Sequence, residues 1–351
     1  MRLSFVVPVY NAEKYLDECL SSLVKAGKGY DVEFILVNDG SMDTSISICR
    51  RYEAEDNRFA VIDQVNQGSQ AARNAGVRAA EGDYICFVDS DDYIDPGLTG
   101  ALYKVMDSYD PDVILYEAVR VSMKDGSSVN AGHKLEAGFY EGTALQNLLP
   151  NMFVSHDLYG ERKLNSSLCM KCFKRDILQK VVYTFDSSVE LGEDLGITAA
   201  AMMHVKSVYK MDDTSYYFYR NNPDSFMNRY KDDLFNKSMN LCDFMARQNT
   251  CNEEYFNVGV AYERCFFAIS SYYNEYFYKS DRSLGLKKEA VREIIESGKL
   301  QNALQLIDIG EVKNPNRMIL KLIKKGSINT LSFLGNVIYF ISPLLRKVIR
   351  L

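Results

Sequence analysis

Four short apolar runs alternate with helical patterns over residues 3–88. Runs of this length bounded by polar residues are typical of buried strands, and they lie at residues 3–9, 32–37, 59–62 and 84–88. Between the first two runs, apolar residues recur at helical spacing, and Asn11 is the predicted N-cap of that helix. Strands that alternate with helices of this length predict an α/β fold built on a parallel, doubly wound sheet.

Polar loops follow the first, second and fourth predicted strands. They read Pro8-Val9-Tyr10-Asn11, Asn38-Asp39-Gly40-Ser41 and Asp89-Ser90-Asp91-Asp92. Right-handed crossovers bring these loops to one edge of a parallel sheet, where open α/β sheets bind their ligands. Gly40 and Gly68 permit a close approach of the backbone. The pattern therefore predicts a ligand pocket with Asp39 and Asp89 at the strand ends.

The third of these loops places three carboxylates within four residues. Carboxylates at this spacing repel one another unless a cation lies between them, and a divalent cation with oxygen ligands fits best. An acidic turn is the alternative, since Asp and Ser are common in turns. The companion loops favour a cation at Asp91. Neither GxGxxG after the first strand nor GxxxxGK[ST] is present, which argues against a dinucleotide fold and a P-loop.

Four sequence blocks in the first 95 residues resemble the family-2 glycosyltransferases of the bacterial polysaccharide type. They are VVPVYN at 6–11, VNDGSMD at 37–43, NQGSQAARNAG at 66–76 and DSDD at 89–92. The resemblance implies a GT-A fold, which is a Rossmann-like and mostly parallel sheet flanked by helices. It also implies that a nucleotide-diphosphate sugar binds with Mg²⁺ or Mn²⁺ and that the sugar is transferred with inversion.

The resemblance assigns roles by matching position. Pro8 and Tyr10 would line the nucleoside pocket, and Asp39 would bond the base edge. Arg73 would lie near the donor phosphates, Asp89 would contact ribose or sugar, and Asp91 would hold the metal. The remaining predicted donor-binding residues are Asn11, Gly68, Ser90 and Arg220.

Two later segments complete the resemblance. Leu191-Gly192-Glu193-Asp194-Leu195 could simply begin a helix, because acidic residues are favoured there. It also resembles the family's Glu-Asp motif, which implies Asp194 as the catalytic base and Glu193 as the second candidate. Residues 216–225 resemble the family's closing element, in which Arg220 and Ser225 would approach the diphosphate. Tyr217 and Tyr219 are expected to pack in an edge strand.

Charge is distributed unevenly along the chain. The whole chain has 41 Lys and Arg residues and 47 Asp and Glu residues, which gives a net charge of −6. The segment from Val312 onward contains eight of the basic residues and none of the acidic ones. The acidic body argues against nucleic-acid binding. Eight Cys residues without a disulfide-framework spacing favour a reducing cytosol, and Met1-Arg2 leads directly into a strand, without the pattern of a secretory signal.

The apolar stretch at 331–345 is short for a membrane-spanning helix and is flanked by basic residues. It favours peripheral contact with the anionic inner face of the cell membrane; the alternative is a helix packed on the protein body. We expect a glycosyltransferase domain at 1–225, divided into a nucleotide-sugar half (1–95) and an acceptor and catalytic half (96–225). A helical extension (226–311) and a basic amphipathic tail (312–351) are expected to follow.

The predicted function is inverting transfer from a nucleotide-diphosphate sugar, in particular a UDP-sugar, to a hydroxyl of a glycan or lipid-linked acceptor. The place of action would be cell-surface polysaccharide synthesis. Two alternatives stay open at this point: a sugar-phosphate nucleotidyltransferase, and a non-catalytic protein that binds sugar nucleotides. The sequence also leaves a homo-oligomer open.

Overall fold

The structure is a computed structural model that describes residues 1–122, 125–182, 189–221, 230–277 and 282–348. Two compact units are present. The first comprises residues 1–149, 163–185 and 197–222, and the second comprises residues 150–162, 186–196 and 223–351. The domain boundaries at 225 and 311 stay predictions.

A mixed sheet of ten strands organises the first unit, counted over its described residues. Along the sheet the order is β3-β2-β1-β4-β9-β6-β10-β5, with β7 beside β6 and β8 beside β10. The strands are β1 (Leu3–Val9), β2 (Val32–Asp39), β3 (Phe59–Gln64), β4 (Tyr84–Phe87), β5 (Tyr93–Ile94), β6 (Val113–Ser122), β7 (Ser128–Asn130), β8 (Gly138–Glu141), β9 (Lys171–Lys174) and β10 (Ser207–Asn221).

The four strands predicted from apolar runs pair as expected. Strand β1 is parallel to both β2 and β4, and β2 is parallel to β3. Beyond β4 a purely parallel sheet is wrong, because β9 is antiparallel to β4 and β6, and β5 is antiparallel to β10. Because Tyr217 pairs with Ile94 of β5 on one side and with Ala118 of β6 on the other, the expected edge strand is wrong for Tyr217.

Thirteen α-helices are found in the described ranges. They are α1 (Leu16–Ala26), α2 (Ser45–Glu55), α3 (Ser69–Ala79), α4 (Leu98–Tyr109), α5 (Gly142–Leu148), α6 (Arg175–Val182), α7 (Glu193–Met202), α8 (Leu234–Gln248), α9 (Glu254–Phe277), α10 (Leu284–Glu296), α11 (Gly298–Leu306), α12 (Asn316–Lys324) and α13 (Ile328–Val348). The predicted helical C-terminal region is confirmed. None of the described helices is long and apolar enough to cross a membrane.

Asn11 does not cap α1. The helix begins at Leu16, and Asn11 lies in the left-handed region with φ of 49°. Its Oδ1 accepts a hydrogen bond from the Met42 N–H at 2.8 Å, while its own N–H donates to Ser41 Oγ at 3.1 Å. The polar side chain of Asn11 is therefore used between two loops, which sequence spacing cannot distinguish from a cap. It ties the loop after β1 to the loop after β2.

In the second unit, the long helix α9 forms the centre of the core. Its aromatic residues Tyr262, Tyr272 and Tyr276 are buried, and the Tyr272 hydroxyl donates to the Leu331 carbonyl of α13 at 3.0 Å. The buried Glu263 carboxylate accepts from the Val154 N–H and pairs with Arg162. Such a buried charge is tolerable because both of its oxygens have donors.

Gly76 sets the distance between α3 and β1. A Cβ at Gly76 would lie 2.2 Å from Val6 Cγ1 in the middle of β1, so Gly76→Ala must displace the helix. We expect this substitution to lower the free energy of unfolding by about 1–3 kcal/mol, the usual cost of overpacking. Urea unfolding followed by circular dichroism measures the change.

Gly285→Ala is the matched control. Gly285 lies in α10, and its added Cβ would meet only Ser283 Oγ, at 3.7 Å. Because alanine restricts the unfolded chain and favours the helix, we expect a gain of about 0.5–1 kcal/mol. A Gly76→Ala protein as stable as the unmodified chain would contradict the proposed contact.

Candidate functional site

A cavity of about 410 Å³ opens in the first unit where β1, β2 and β4 end. We call it the strand-end cavity. Its lining comes from all four of the sequence blocks, and it brings together eight of the predicted site residues. The lining residues are Pro8, Val9, Tyr10, Asp39, Asn66, Gly68, Ser69, Ala72, Arg73, Asp89, Ser90 and Asp91.

Asp39 closes one side of the strand-end cavity and holds the start of α3. Its buried carboxylate accepts from the Gln64 side chain (2.8 Å), the Gln67 N–H (2.9 Å) and the Gly68 N–H (2.8 Å). Gly68 has a φ of 91°, a conformation that a side chain rarely adopts, and it directly precedes the first residue of α3. The amino end of an eleven-residue helix therefore faces the cavity, a position that favours anions.

Arg73 and Asp89 form an ion pair in the wall of the cavity. Arg73 Nη2 donates to Asp89 Oδ1 at 2.9 Å, and the side chains are 7% and 30% exposed. The arginine projects from α3, and the aspartate begins the turn that follows β4. The pair places a fixed positive charge next to this turn, whose residues Asp89–Asp92 we call the acidic turn.

Two carboxylates of that turn are held at raised pKa. Burial, with the charge of Asp89 beside it, raises the pKa of Asp91. Burial also raises the pKa of Asp92 to about 8, with further contributions from Asp89 and Asp91. In both cases burial is the largest cause, and the neighbouring carboxylates add to it. A bound cation would supply the missing positive charge.

Arg220 lies beside the acidic turn. Its backbone N–H donates to Asp92 Oδ1 at 2.8 Å, and its guanidinium is paired with Glu18 at 2.6 Å. The guanidinium also contacts the rings of Tyr15 and Tyr93, at 5.1 and 4.9 Å from their centroids. Its positive charge lowers the pKa of Asp91 against the effect of burial. Ser225, expected alongside it, lies outside the described residues.

Sequence reasoning missed two residues of this region, Asp92 and Tyr217. The Tyr217 hydroxyl donates to Asp92 Oδ2 at 2.8 Å and accepts from the Asp89 N–H at 3.0 Å. Both residues are buried. The sequence showed Asp92 only as the last acid of a cluster and Tyr217 only as one of several aromatics in a strand.

Glu193 and Asp194 lie in the second unit, in the first turn of α7. Gly192 precedes them with a φ of 74°, and a Cβ there would lie 2.6 Å from Leu241 Cδ2. The two acids occupy the helix position that favours negative charge. This arrangement agrees with the helix-start interpretation of the segment, and their predicted catalytic roles stay predictions.

A larger groove of about 650 Å³ in the second unit contains none of the predicted site residues. Charged side chains of α10 and α11 dominate its lining, and several are already paired. Arg292 pairs with Glu289 at 2.6 Å, and Lys299 pairs with Asp243. The strand-end cavity is therefore the better candidate site, because it joins carboxylates, a cation and a helix amino end.

No group of three or more His, Cys, Asp or Glu side chains is arranged to hold a metal within the described ranges. The acidic turn nevertheless fits a cation of the magnesium type. Such ions are usually held by one or two carboxylates, with substrate phosphates and water as the other ligands. Asp91 supplies one such carboxylate at the cavity wall.

Comparison with known proteins agrees with the fold and the sequence blocks. The family described as glycosyl transferase family 2 matches residues 4–181. The chain therefore belongs to glycosyl transferase family 2, and the predicted family is confirmed. Crystal structures of residues 1–349 of TarS from S. aureus resemble this chain with a TM-score of 0.70 for the complex with UDP-GlcNAc, at 21% identity. They cover 97% of this chain and 91% of TarS 1–349, which confirms the GT-A fold.

Two curated relatives from Bacillus subtilis (strain 168) are similar in sequence. EpsJ, described as an uncharacterized glycosyltransferase, is 32% identical over 223 residues, which are 64% of this chain and 62% of EpsJ. EpsH, described as a putative glycosyltransferase, is 30% identical over 258 residues, which are 72% of this chain and 71% of EpsH. The chain thus spans somewhat less than two thirds of EpsJ and somewhat more than two thirds of EpsH.

The structural part that Asp39 plays in the cavity can be tested with Asp39→Asn. In this variant an NH₂ group replaces one of the two carboxylate oxygens. It then faces a donor that needs an acceptor. We expect a loss of about 1–3 kcal/mol in the free energy of unfolding, because a buried donor is left without its charged partner. Urea unfolding at neutral pH measures it.

Asp63→Asn, on the neighbouring strand β3, is the matched control. Asp63 accepts one bond, from the Asn38 side chain at 2.7 Å, and an amide oxygen can accept it equally well. We expect a change within about 0.5 kcal/mol, as for most surface substitutions. Equal losses of unfolding free energy in the two variants would contradict the stabilising role of the three hydrogen bonds at Asp39.

Proposed function

We propose that this protein transfers a sugar, with inversion, from a nucleotide-diphosphate sugar to a hydroxyl of a glycan or lipid-linked acceptor. The observation that carries the proposal is the strand-end cavity, whose lining combines Asp39, Arg73, Asp89 and Asp91 with the amino end of α3. A nucleotide diphosphate needs such a mixture, because its phosphates require positive charge while its base and ribose require hydrogen-bond acceptors.

The proposed donor is a UDP-sugar. Tyr10, half exposed at the cavity, offers a ring against which a base could lie, with Pro8 beside it. Three of the roughly four acceptor positions of the Asp39 carboxylate are used by the protein, which leaves one for a base N–H. Arg73 and the first turn of α3 would face the diphosphate. The structures of TarS with UDP and with UDP-GlcNAc support this choice of nucleotide.

We propose Asp91 as the residue that holds Mg²⁺ or Mn²⁺, with the donor diphosphate completing the ligand set. The raised pKa of Asp91 fits this role, because a nearby cation would offset the burial of its charge. When bound, the ion would stabilise the negative charge that develops on the leaving diphosphate. Asp89, Ser90 and Gly68 would contact the ribose, sugar or phosphates, and Asn11 would hold two of the loops together.

Asp194 is proposed as the base. A hydroxyl is a poor nucleophile at neutral pH, so a carboxylate must take its proton during attack. The new bond joins the acceptor oxygen to the anomeric carbon, the bond from that carbon to the diphosphate breaks, and the proton passes to Asp194. Attack opposite the leaving group inverts the configuration. Glu193 is the second candidate, and Arg220 would add positive charge beside Asp91.

Along the chain, residues 1–95 would bind the sugar donor. Residues 96–225 would bind the acceptor and provide the catalytic residues. The helical extension at 226–311 would precede a tail with a separate role. We propose that this tail contacts the anionic inner face of the cell membrane, where acceptors for cell-surface polysaccharide are assembled.

The proposed membrane surface is one face of α13. Phe333, Val337 and Phe340 are exposed and are spaced at one and two helical turns, while Leu331 and Gly335 on the other face are buried. A Cβ at Gly335 would lie 2.4 Å from the Tyr276 ring, so that face is packed on α9. The helix thus packs on its own unit on one side and exposes aromatic rings on the other.

The charge around α13 favours an anionic partner. Lys321 and Lys325 are exposed just before the helix, and the chain has no acidic residue from Val312 onward. The side chains of Arg346, Lys347 and Arg350 lie outside the described residues. Basic residues next to exposed aromatics are the usual composition of a helix that lies on an anionic membrane.

Two substitutions test the proposed division of roles in the reaction. We expect Asp91→Ala and Asp194→Ala each to reduce transfer from a UDP-sugar by at least about 100-fold. Only Asp91→Ala should also weaken Mn²⁺-dependent binding of UDP, because Asp194 does not act on the donor phosphates. Isothermal titration with UDP and Mn²⁺ measures binding, and release of UDP from a panel of UDP-sugars measures transfer.

Asp107→Ala, which removes an exposed carboxylate on α4, is the control and should leave both quantities unchanged. Equal loss of UDP affinity in the Asp91 and Asp194 variants would contradict the division of roles. Formation of pyrophosphate from a sugar phosphate, instead of UDP release, would indicate nucleotidyl transfer and reject the proposal.

The membrane surface is tested by the double substitution Phe333→Ser and Phe340→Ser. We expect the protein to sediment with vesicles that contain phosphatidylglycerol, and the double variant to lose most of this binding. Leu306→Ser, another exposed apolar residue but on α11, should bind as the unmodified protein does. Undiminished binding of the double variant, or equal binding to vesicles of phosphatidylcholine alone, would overturn the proposal.

A further inference from the structure

The acidic turn, Asp89–Asp92, is a tight turn between β4 and β5. The Asp92 N–H donates to the Asp89 carbonyl at 3.0 Å, so the backbone reverses over four residues. Asp89 and Asp91 line the strand-end cavity, and Asp92 is buried behind them. The position of the two cavity carboxylates therefore depends on what holds the turn.

One hydroxyl group contacts both ends of the acidic turn. Tyr217 Oη accepts from the Asp89 N–H at 3.0 Å and donates to Asp92 Oδ2 at 2.8 Å. The phenol has a single proton to donate, and it is committed to Asp92. The Tyr217 side chain is completely buried, so water does not replace either bond.

The ring of Tyr217 is itself held by the sheet. Its backbone pairs with Ile94 of β5 on one side and with Ala118 of β6 on the other. Three residues further along β10, the Arg220 N–H donates to the second oxygen of Asp92 at 2.8 Å. Strand β10 thus fixes both carboxylate oxygens of Asp92, one through a side chain and one through its backbone.

From this geometry we propose that Tyr217 and Asp92 are positioning residues for the acidic turn. They touch neither the cavity nor the proposed ligands. Tyr217 clamps the two ends of the turn and thereby sets where the Asp89 and Asp91 carboxylates point. The inference rests on the proposed function, because it takes the cation and the nucleotide diphosphate to be the ligands of that turn.

Loss of the Tyr217 hydroxyl is expected to weaken cation binding in particular. Without the Tyr217 hydroxyl, the turn keeps its backbone bond but loses the tie between its first residue and the Asp92 carboxylate. Asp91 would then sample several positions, and only a fraction of them would suit a cation shared with a diphosphate. Two hydrogen bonds that water cannot replace are strong enough to change such a population about tenfold.

Tyr217→Phe tests the inference, because it removes one oxygen and keeps the ring. UDP binding is titrated as a function of Mn²⁺ concentration by calorimetry. We expect the Mn²⁺ concentration for half-maximal UDP binding to rise about tenfold. UDP affinity at saturating Mn²⁺ should change by less than about threefold, because the side chains that line the cavity are unchanged.

Tyr84→Phe is the matched control. Tyr84 is equally buried, and its hydroxyl also makes two contacts, with Asp110 Oδ1 at 2.9 Å and the Pro111 carbonyl at 2.7 Å. Tyr84 begins β4, whereas the acidic turn follows the end of that strand. Both variants should melt at a similarly lowered temperature, but Tyr84→Phe should leave the Mn²⁺ requirement unchanged.

A Mn²⁺ requirement in Tyr217→Phe equal to that in Tyr84→Phe would overturn the inference. If Tyr217→Phe does not fold, Asp92→Asn repeats the test, since it replaces one acceptor of Asp92 and keeps the Tyr217 ring. The same tenfold rise is expected there, and no rise would reject the inference. An unmodified protein that binds no UDP would instead reject the proposed function.

Discussion

The concentration of negative charge after β4 is the constraint on which the site depends. Three carboxylates within four residues cannot share a partly buried turn unless other groups offset them. The protein supplies Arg73 against Asp89 and two hydrogen-bond donors against Asp92. The pKa of Asp91 nevertheless remains raised. Burial is the main cause of this raised pKa, and it agrees with the cation that we propose at this turn.

The rigid part of the first unit lies directly behind the charged part. Strands β1, β2 and β4 are buried almost throughout, and the side chains that line the cavity begin where these strands end. Burial of the strands fixes the loops, since each loop has only a few residues between fixed elements. Cross-loop bonds such as that from the Met42 N–H to Asn11 Oδ1 add to this. Supporting hydrogen bonds of this kind hold the side chains of a site in position.

Some parts of the fold and of the candidate site could be predicted from the sequence, and others could not. The strands of the first four runs and the loops after them followed from periodicity, and eight predicted residues meet in one cavity. The segment at 122–165 shows only a weak sequence pattern, yet it contains β7, β8 and α5. Strands of three and four residues give too little alternation to be recognised. Their pairing with β6 and β10 supplies what the local pattern lacks.

By itself, the sequence determined the first four strands, the edge at which ligands bind and the family to which the chain belongs, because these depend on local pattern and on short blocks of residues. The tertiary structure decided which side chains are ligand-facing and which are supports. Asp91 and Asp92 are adjacent in the chain and chemically the same, yet one lines the cavity and the other is buried against Tyr217. Tyr217 comes from a strand 128 residues away from Asp89, whose N–H it also accepts. Only the pairing of β10 with β5 brings these groups together, and no local pattern encodes a contact across that distance.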